Sequence, residues 1–276
     1  MNDKNIRLVA LDLDGTTLNE QGELTERTIE SFRNAMEKGA HIVICTGRTF
    51  ASLPKQLFQI EGLEYVVTSN GAKITRLKDL VTIYEDHIPA KAVEQIADIL
   101  KVENCSLEVF VDGKAYIGKE EYEEYLHHGS DYRDVEYILR TRNPIENFFD
   151  FIYEHKERME NINISFPRTD DRATLLSLLE PVENVTLTTS FVHNLEVGGG
   201  NTSKAEALRF LMRELGLSQS QLMAVGDSHN DLEMIKLAEV GVVMENGSDE
   251  MKSYADFVTA SNAEDGVALA IEKFVK

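Results

Sequence analysis

Residues 8–18 read Leu-Val-Ala-Leu-Asp12-Leu-Asp14-Gly15-Thr-Thr-Leu, an apolar run that leads directly into two aspartates. An unpaired carboxylate inside an apolar strand costs several kcal/mol or takes up a proton, so a pair of them indicates a compensating cation. Gly15 allows a sharp backbone turn, and both carboxylates would then project from the carboxyl end of a strand, where open α/β sheets hold their sites. The stretch therefore predicts a buried strand that ends in a functional site.

Two other interpretations of the aspartate pair have to be weighed. The sequence Asp-x-Asp-Gly can form an ordinary turn after a strand. A calcium-binding loop is the second alternative, but its glycine should fall at the sixth position, which Thr17 occupies. The calcium loop is therefore disfavoured, and the ordinary turn stays open.

The composition of the chain excludes some classes of protein and some kinds of partner. The chain has 276 residues, and its net charge is −20, which argues against nucleic acid and anionic membranes because both reward clustered Lys and Arg. No apolar stretch is long enough for a membrane helix, and the start from Met1 to Arg7 is polar. Cys45 and Cys105 lack the spacing of a metal site and the density of a disulfide scaffold. We therefore expect a cytoplasmic protein.

The two ends of the chain alternate strand patterns with helix patterns. Apolar runs predict strands, and apolar residues at helical spacing behind capping residues predict helices between them. Repeated βα units of this kind imply parallel strands joined by right-handed crossovers. The predicted strands are 6–12, 41–46, 65–68, 222–226 and 241–244, and the predicted helices begin at residues 25, 49, 202 or 203, 231 and 263.

The middle of the chain has a different texture and carries more than half of the net negative charge. Helix patterns at 90–101, 119–128 and 170–179 alternate irregularly with strand patterns at 106–117, 161–166 and 185–189. We predict an α/β protein in which residues 1–84 and 191–276 form a parallel-sheet core and residues 85–190 form an inserted α+β domain.

Three further polar residues stand at predicted element ends. Thr46 follows one strand, Lys204 opens a helix after a glycine-rich loop, and Asp227 follows another strand. Each has a plain structural explanation as a strand-end hydroxyl, a surface lysine or a helix cap. Their joint occurrence favours a single site.

The chemistry that connects these residues is phosphate-ester cleavage through a covalent intermediate. It needs a carboxylate nucleophile, a cation, donors around the phosphoryl oxygens and a proton donor for the leaving alcohol. Asp12 can be the nucleophile, and Asp14 can protonate the leaving oxygen and then deprotonate the hydrolytic water. Asp227 with Asp12 can hold a hard cation that prefers oxygen ligands, which describes Mg²⁺. The candidate donors to the phosphoryl oxygens are the Thr46 hydroxyl, the Lys204 ammonium and the Asn230 amide.

Six stretches carry a resemblance to a known family: Asp12-Leu-Asp14-Gly15-Thr16, Thr46-Gly47-Arg48, Ser69-Asn70-Gly71-Ala72, Lys204, Gly226-Asp227-x-x-Asn230-Asp231 and Ser261-Asn262-x-Glu264-Asp265-Gly266-Val267. The chain resembles the haloacid dehalogenase-like phosphohydrolases, and within them the Cof-type branch, whose large cap lies between the second and third motifs. The resemblance implies a Rossmann-like core, a mobile cap in the inserted domain, dependence on Mg²⁺ and a small phosphorylated substrate.

The same resemblance implies roles for residues that the chemistry alone does not assign. Asp14 would also give a backbone carbonyl to the metal, and Asp231 would orient Lys204 or a water at the metal. Gly47 would join the phosphate-binding residues, with Arg48 and Asn70 as supporting residues. Six cap residues could reach a substrate, although the pattern of each favours a solvated surface group: His127, His128, Arg133, Arg140, Arg142 and His193.

Three functions are compatible with these residues. The first is a Mg²⁺-dependent phosphatase for a small phosphorylated metabolite, such as a sugar phosphate or a phosphorylated cofactor. The second is a phosphomutase of the phosphomannomutase kind, which returns the phosphoryl group of the same aspartyl phosphate to a sugar. The third is a binding or regulatory protein that keeps the site without turnover. We predict the first, and the sequence does not name the substrate or the oligomeric state.

Overall fold

The computed structural model of the protein describes residues 5–276, so the first four residues of the polar start lie outside the described residues. The strands in this range are β1 (Leu8–Leu11), β2 (His41–Cys45), β3 (Tyr65–Thr68), β4 (Lys73–Arg76), β5 (Val81–Glu85), β6 (Ser106–Val111), β7 (Lys114–Gly118), β8 (Arg142–Ile145), β9 (Met159–Ser165), β10 (Val185–Thr188), β11 (Asn194–Gly199), β12 (Leu222–Gly226), β13 (Val240–Val243) and β14 (Phe257–Val258). The helices are α1 (Glu26–Glu37), α2 (Ala90–Leu100), α3 (Lys119–His128), α4 (Val135–Thr141), α5 (Phe148–Glu154), α6 (Asp171–Leu179), α7 (Lys204–Leu215), α8 (Leu232–Leu237), α9 (Asp249–Lys252) and α10 (Gly266–Phe274). Across residues 5–276, no helix combines the length and the apolar character that crossing a membrane requires.

The described chain divides into two compact units. The first unit contains the residues up to Gly47, then Leu53–Glu85 and Ser203–Lys276. The second unit contains Arg48–Ser52 and Asp86–Thr202. The chain therefore passes between the units four times.

The first unit is built on a sheet with the strand order β14-β13-β12-β1-β2-β3-β4-β5. Strand β1 lies at its centre, in parallel register with β12 on one side and β2 on the other, and all four of its residues are buried. Burial on both faces explains why β1 reads as a continuous apolar run. The parallel strands confirm the predicted α/β class, and β4 and β5 add an antiparallel edge.

Helix α7 covers part of this sheet and thereby fixes the place of its first residue, Lys204. Leu208 and Leu211 of α7 belong to one core cluster with Leu8 of β1 and Val43 of β2. Ser203 caps the helix, because its side chain accepts a hydrogen bond from the Glu206 backbone amide. Packing of the apolar face of α7 thus holds its first turn against the sheet.

The second unit is built on a separate sheet with the order β10-β11-β9-β6-β7-β8. Side chains alternate between its two faces. Leu107 and Val109 of β6, with Ile162 and Ile164 of β9, belong to an apolar cluster that includes residues of α2, α5 and α6. The opposite face carries polar side chains of the same strands, among them Glu108 of β6.

The expectation that Arg133 and Arg142 are solvated surface groups is wrong, because both side chains are buried on this polar face. The side chains of Arg133 and Arg142 are only 6% and 7% exposed, and they donate to the Glu108 carboxylate at 2.6 and 2.8 Å. Burial acts to raise the pKa of Glu108, but Arg142 and Arg133 lower it to about 2. The buried negative charge of Glu108 is the reason that both guanidinium groups leave the solvent.

Two other expectations differ from the structure. The helix expected from Thr49 is replaced by short 3₁₀ turns at Phe50–Ser52 and Lys55–Gln59, because Pro54 interrupts the segment. The core was expected to resume at residue 191, but β11 pairs with β9 and β10 in the second sheet. Residues 191–202 therefore belong to the second unit.

Candidate active site

The turn after β1 places Asp12 at the strand end and directs the chain away from the sheet. The Asp12 amide still donates to Val225 O at 3.0 Å, as a continuation of the parallel ladder. Residues Leu13–Thr17 then form an irregular turn that the Leu18 amide closes on Leu13 O at 2.9 Å. Gly15 has a φ of +74°, which agrees with the expectation that glycine permits this turn.

The same turn contacts the end of β12. The Thr16 hydroxyl donates to Asp227 Oδ1 at 2.8 Å. A Cβ atom at Gly15 would lie 2.7 Å from Asp227 Oδ2, so a side chain has no room there. Glycine at position 15 therefore serves the approach of the Asp227 carboxylate as well as the turn.

Lys204 is a buried cation between two carboxylates. Its side chain is fully buried, and Nζ donates to Asp12 Oδ1 at 2.5 Å and to Asp231 Oδ1 at 2.7 Å. Burial acts to lower the pKa of Lys204, but the two carboxylates raise it above its usual value. The ammonium group is therefore charged and compensates part of the negative charge.

Asp231 has hydrogen-bond partners at both carboxylate oxygens. Oδ1 accepts from Lys204, and Oδ2 accepts from the backbone amides of Asp227 and Ser228 at 3.0 and 3.1 Å. These bonds fix the loop after β12 relative to α7. The arrangement is suited to positioning Lys204 and Asp227 and leaves Asp231 little capacity for a metal.

Three carboxylates form a cluster with the chemistry of a cation site. Oxygen atoms of Asp12, Asp227 and Asp231 all lie within 4.8 Å of one another. Burial and the charge of Asp231 raise the pKa of Asp12 well above its usual range, and they raise the pKa of Asp227 to about 7. An all-oxygen, strongly negative donor set fits Mg²⁺, which would hold these carboxylates in the ionised form.

The ends of β2 and β3 bring together four of the other predicted residues. Thr46 is 1% exposed, and its carbonyl accepts from the Asn70 amide at 3.0 Å. Asn230 Nδ2 donates to Asn70 Oδ1 at 3.0 Å. A Cβ atom at Gly47 would lie 3.0 Å from that same Oδ1. Asn70 therefore links Thr46 and Gly47 to the loop after β12.

Asn70 and its neighbour hold an unusual backbone conformation. Ser69 has a φ of +51° and Asn70 a φ of +57°, a conformation that residues other than glycine seldom adopt. Such residues cost of order 1–3 kcal/mol each and persist where the surrounding structure determines them. The turn that presents Asn70 is thus held by its contacts.

The remaining two predicted residues are Arg48 and Asp14. Arg48 lies in the second unit, where it donates to Ser52 O at 3.2 Å and its guanidinium lies 4.9 Å from the centre of the Tyr137 ring. Asp14 is exposed. Exposure suits a group that exchanges protons with water and substrate.

Two asparagines that the sequence reasoning did not single out hold the turn after Asp12. Asn246 Nδ2 donates to Gly15 O at 2.8 Å, and its Oδ1 accepts from the Asn262 amide at 3.1 Å. Asn262 Nδ2 donates to Leu18 O at 2.8 Å. Two sequence signals could have pointed to these residues. Asn246-Gly247 is a typical turn dipeptide, and Asn262 stands in the last of the six matching stretches.

Comparisons with known proteins identify relatives along nearly the whole chain. Residues 9–271 match the family model described as haloacid dehalogenase-like hydrolase. A putative phosphatase of Streptococcus pyogenes serotype M6, M6_Spy0533, is 31% identical, with 98% of each chain covered. The 5-amino-6-(5-phospho-D-ribitylamino)uracil phosphatase YcsE of Bacillus subtilis is 29% identical, with 99% of this chain and 97% of that protein covered.

Solved structures resemble the chain over the same length. A haloacid dehalogenase-like hydrolase from B. subtilis superposes with a TM-score of 0.82 at 28% identity, covering 97% of this chain and 99% of that one. The sugar phosphatase BT4131, of subclass IIB, has a TM-score of 0.82 at 21% identity, with 97% and 98% covered. The second likeness bears on the fold alone.

Proposed function

Because the chain belongs to the haloacid dehalogenase-like hydrolases and is a phosphatase of their Cof-type branch, we propose that it hydrolyses a small phosphorylated metabolite through an aspartyl phosphate at Asp12. The proposed substrate is a sugar phosphate or a phosphorylated cofactor. The observation that carries the proposal is the buried Lys204 ammonium, bonded to Asp12 and Asp231 next to Asp227. Burying this many charged groups together is costly for stability, and a catalytic role accounts for it.

Asp12 is the proposed nucleophile. Lys204 engages its Oδ1, so the attack on phosphorus is assigned to Oδ2. The new bond joins Oδ2 to phosphorus while the bond from phosphorus to the ester oxygen breaks. Asp14 gives its proton to the leaving oxygen, so the alcohol departs neutral.

Hydrolysis of the aspartyl phosphate completes the cycle. Asp14, now ionised, takes a proton from a water molecule that attacks phosphorus. The bond from phosphorus to Asp12 Oδ2 breaks, and inorganic phosphate leaves. Asp14 ends the cycle protonated, as it began, and the exposure of its side chain supports this exchange of protons.

The cation proposed for this site is Mg²⁺. Asp12 and Asp227 would hold it through their carboxylates, together with the backbone carbonyl of Asp14. When bound, Mg²⁺ neutralises negative charge on the phosphoryl oxygens. Asp231 is assigned a positioning role, because Lys204 and two backbone amides already engage its oxygens.

The phosphoryl oxygens require further donors. The Thr46 hydroxyl, the Gly47 amide, the Lys204 ammonium and the Asn230 amide group are assigned to them. The hydrogen bond from Asn230 to Asn70 supports this assignment, because it fixes the Asn230 side chain beside the end of β2. Arg48 is kept as a supporting residue.

Turnover of p-nitrophenyl phosphate tests the proposed reaction. We expect hydrolysis with Mg²⁺ and none after chelation, and we expect Asp12→Asn to lower kcat by about 10³-fold or more. Asp79→Asn is a matched control, because Asp79 is a surface aspartate paired with Arg76 in the same unit. An unchanged rate in Asp12→Asn, or no rate with Mg²⁺, would rule the proposal out.

A panel of phosphorylated metabolites tests the substrate class. It should contain sugar phosphates, phosphorylated cofactors and the phosphoribitylamino-uracil that the name of the B. subtilis relative specifies. We expect one member to give a kcat/KM far above that of p-nitrophenyl phosphate, because binding energy from the organic part then lowers the barrier. Equal kcat/KM values across the panel would contradict a dedicated metabolite phosphatase.

A further inference from the structure

The Asn246 side chain engages backbone groups of two other segments through the two ends of its carboxamide. Nδ2 donates to Gly15 O at 2.8 Å, and Oδ1 accepts from the Asn262 amide at 3.1 Å. Asn246 is itself exposed, so water could satisfy both ends of the carboxamide at little cost. Stability of the fold therefore gives little reason for these two bonds, and the reason has to be sought in the atoms that Asn246 holds.

The carbonyl that Asn246 holds belongs to the most permissive residue of the turn after β1. Position 15 requires glycine, because a Cβ atom there would lie 2.7 Å from Asp227 Oδ2. Glycine adopts a φ of +74° readily, but it restrains the peptide groups on its two sides less than any other residue does. The residue that gives the Asp227 carboxylate room is therefore also the residue at which the turn is easiest to deform.

A hydrogen bond to Gly15 O supplies the restraint that glycine lacks. This oxygen belongs to the planar peptide group that joins Gly15 to Thr16, so the bond fixes the orientation of that group. The Thr16 hydroxyl then donates to Asp227 Oδ1 at 2.8 Å. The peptide group before Gly15 carries the carbonyl of Asp14, which the resemblance to the family assigns to the metal. Asn246 thus acts at a point of the turn where the residues on both sides serve the proposed cation site.

The residue after Asn246 packs against the loop that carries the other aspartate. A Cβ atom at Gly247 would lie 2.9 Å from the Asp227 backbone oxygen and 3.1 Å from Met244 O, so a side chain has no room there. The Gly247 amide donates to Met244 O at 3.0 Å, and the Met244 amide donates to Gly226 O at 3.0 Å, which ties the segment to the end of β12. These two residues therefore contact both the turn after β1 and the loop after β12.

Asn262 holds both the far end of the turn and the acceptor end of Asn246. Its Nδ2 donates to Leu18 O at 2.8 Å, and the Leu18 amide closes the turn on Leu13 O. Its backbone amide donates to Asn246 Oδ1. Because only the oxygen of a carboxamide can accept that bond, the Asn246 nitrogen has to face Gly15 O. The orientation of the Asn246 side chain is therefore determined by its partners.

We propose that Asn246 is a positioning residue for the cation site, which holds Gly15 O and thereby fixes the turn after Asp12 relative to Asp227. The inference rests on the proposed function, because the ligands of the cation are assigned there. Without the Nδ2 donor, the Gly15 peptide group can rotate, and the oxygen atoms on either side of it shift. The site then binds Mg²⁺ more weakly, since Mg²⁺ demands a near-ideal octahedral arrangement of its ligands.

Calorimetric titration of Mg²⁺ into the substrate-free chain tests the proposal with two variants. Asn246→Ala should weaken Mg²⁺ binding about tenfold, an effect of about 1.4 kcal/mol. Asn246→Asp keeps the acceptor for the Asn262 amide and replaces the donor with a second oxygen, so it should also weaken binding. Electrostatics alone predicts the opposite for this variant, because an added negative charge attracts a cation. Ser248→Ala is the matched control, since it removes a bond from the Met251 amide in the same segment and leaves Gly15 O engaged.

Turnover of p-nitrophenyl phosphate and thermal unfolding supply two further readouts. At a low Mg²⁺ concentration the rate should fall in both Asn246 variants, and saturating Mg²⁺ should restore most of it while the KM for substrate stays unchanged. Without Mg²⁺, the Tm of both variants should stay close to that of the natural chain, because Asn246 is exposed. A large fall in Tm in both variants would instead assign Asn246 to the stability of the fold and overturn the inference.

Three other results would overturn the inference while the natural chain still turns over with Mg²⁺. They are natural Mg²⁺ affinity in Asn246→Ala, tighter Mg²⁺ binding in Asn246→Asp, and an equal weakening in Ser248→Ala. Failure of the natural chain to bind Mg²⁺ would defeat both this inference and the proposed cation. Mg²⁺ binding in the expected order without any turnover would defeat the proposed phosphatase reaction alone and leave the role of Asn246 standing.

Discussion

The Asp227 carboxylate occupies the space in which a side chain at position 15 would begin. Its Oδ1 is bonded to the Thr16 hydroxyl, and its Oδ2 faces Gly15. Two residues of one turn therefore define where this carboxylate lies. Because cation ligation depends on small displacements of oxygen atoms, we expect the site to be sensitive to one added methyl group.

Gly15→Ala should abolish most Mg²⁺-dependent turnover. The added Cβ would meet Asp227 Oδ2 at 2.7 Å and displace it. Gly22→Ala is the matched control, because Gly22 has nearly the same φ, +73°, and nothing within 4 Å of the added atom. We expect both variants to lose about 1 kcal/mol of unfolding free energy from the left-handed backbone, while only Gly15→Ala loses kcat. Equal kcat values in the two variants would refute the steric argument.

Asp231→Asn should lower kcat through the position of Lys204 and Asp227. An amide nitrogen cannot accept a hydrogen bond, so the variant loses either the Lys204 bond or the two backbone bonds. We expect a fall in kcat of about 10²-fold. Asp256→Asn is the control, since Asp256 accepts from the Gly241 amide in the same unit. An equal loss in both variants would mean that the effect is on folding.

At the scale of an element, alternate side chains of β6 face two different environments. Leu107 and Val109 pack into the apolar cluster of the second unit, and Glu108 between them is fully buried on the polar face. Its charge is matched by Arg133 and Arg142 and by a bond from Asn163. The stability of this strand should therefore depend on an ionised Glu108.

The pH dependence of unfolding tests this dependence. The folded pKa of Glu108, about 2, lies below the ordinary value of 4.5. The contribution of ionised Glu108 to the free energy of unfolding is therefore complete above pH 4.5. It declines as the pH falls below that value and is lost near pH 2. The shift corresponds to about 3 kcal/mol.

Urea unfolding of the natural chain and of Glu108→Gln measures the effect. The difference in unfolding free energy should be large at pH 7 and should shrink as the pH falls toward 3. Glu272→Gln, which removes a half-exposed surface pair with Arg27, should change the free energy of unfolding little at any pH, because solvent screens exposed ion pairs. A difference between Glu108→Gln and the natural chain that stays constant with pH would contradict the assignment.

At the scale of the whole molecule, the buried negative charge of the first unit should link stability to Mg²⁺. The carboxylates of Asp12, Asp227 and Asp231 repel one another, and one lysine compensates only part of that charge. A cation that binds the folded chain stabilises it in proportion to its occupancy. We expect saturating Mg²⁺ to raise Tm by several degrees in the natural chain and by much less in Asp227→Asn. Equal shifts would place the binding of Mg²⁺ elsewhere.

The α/β architecture could be predicted because buried parallel strands leave a strong pattern. Continuous apolar runs such as β1 and β12 can be recognised as strands without knowing which strands lie beside them. Strand β11 left no such pattern, because Asn194 and Glu196 interrupt its apolar residues and Gly198 ends them. Those side chains are buried through partners on other segments, among them Asn163 and Ser190. A strand that depends on such contacts cannot be recognised from its own residues.

The site residues also divide into those that local sequence signals reveal and those whose roles depend on distant contacts. Asp12, Thr46, Lys204 and Asp227 stand at element ends, and a sequence shows element ends through turn and capping signals. The role of Asn246 depends on its reaching Gly15, which lies far away along the chain. The burial of Arg133 and Arg142 depends on Glu108 in the same way. Contacts between distant segments are what the sequence does not reveal.

The four passages of the chain between its two units bear on how such a protein could be recombined with its relatives. A graft of residues 86–202 alone would leave behind Arg48–Ser52, although Ala51 N bonds Gly113 O in the turn between β6 and β7. The recipient would supply its own version of that short segment, made to suit a different turn. A chimera that preserves this unit must therefore carry two pieces of chain, and the smaller one begins two residues after Thr46. Exchange of this unit between family members by a single crossover pair is thus constrained next to the motif that we propose binds phosphate.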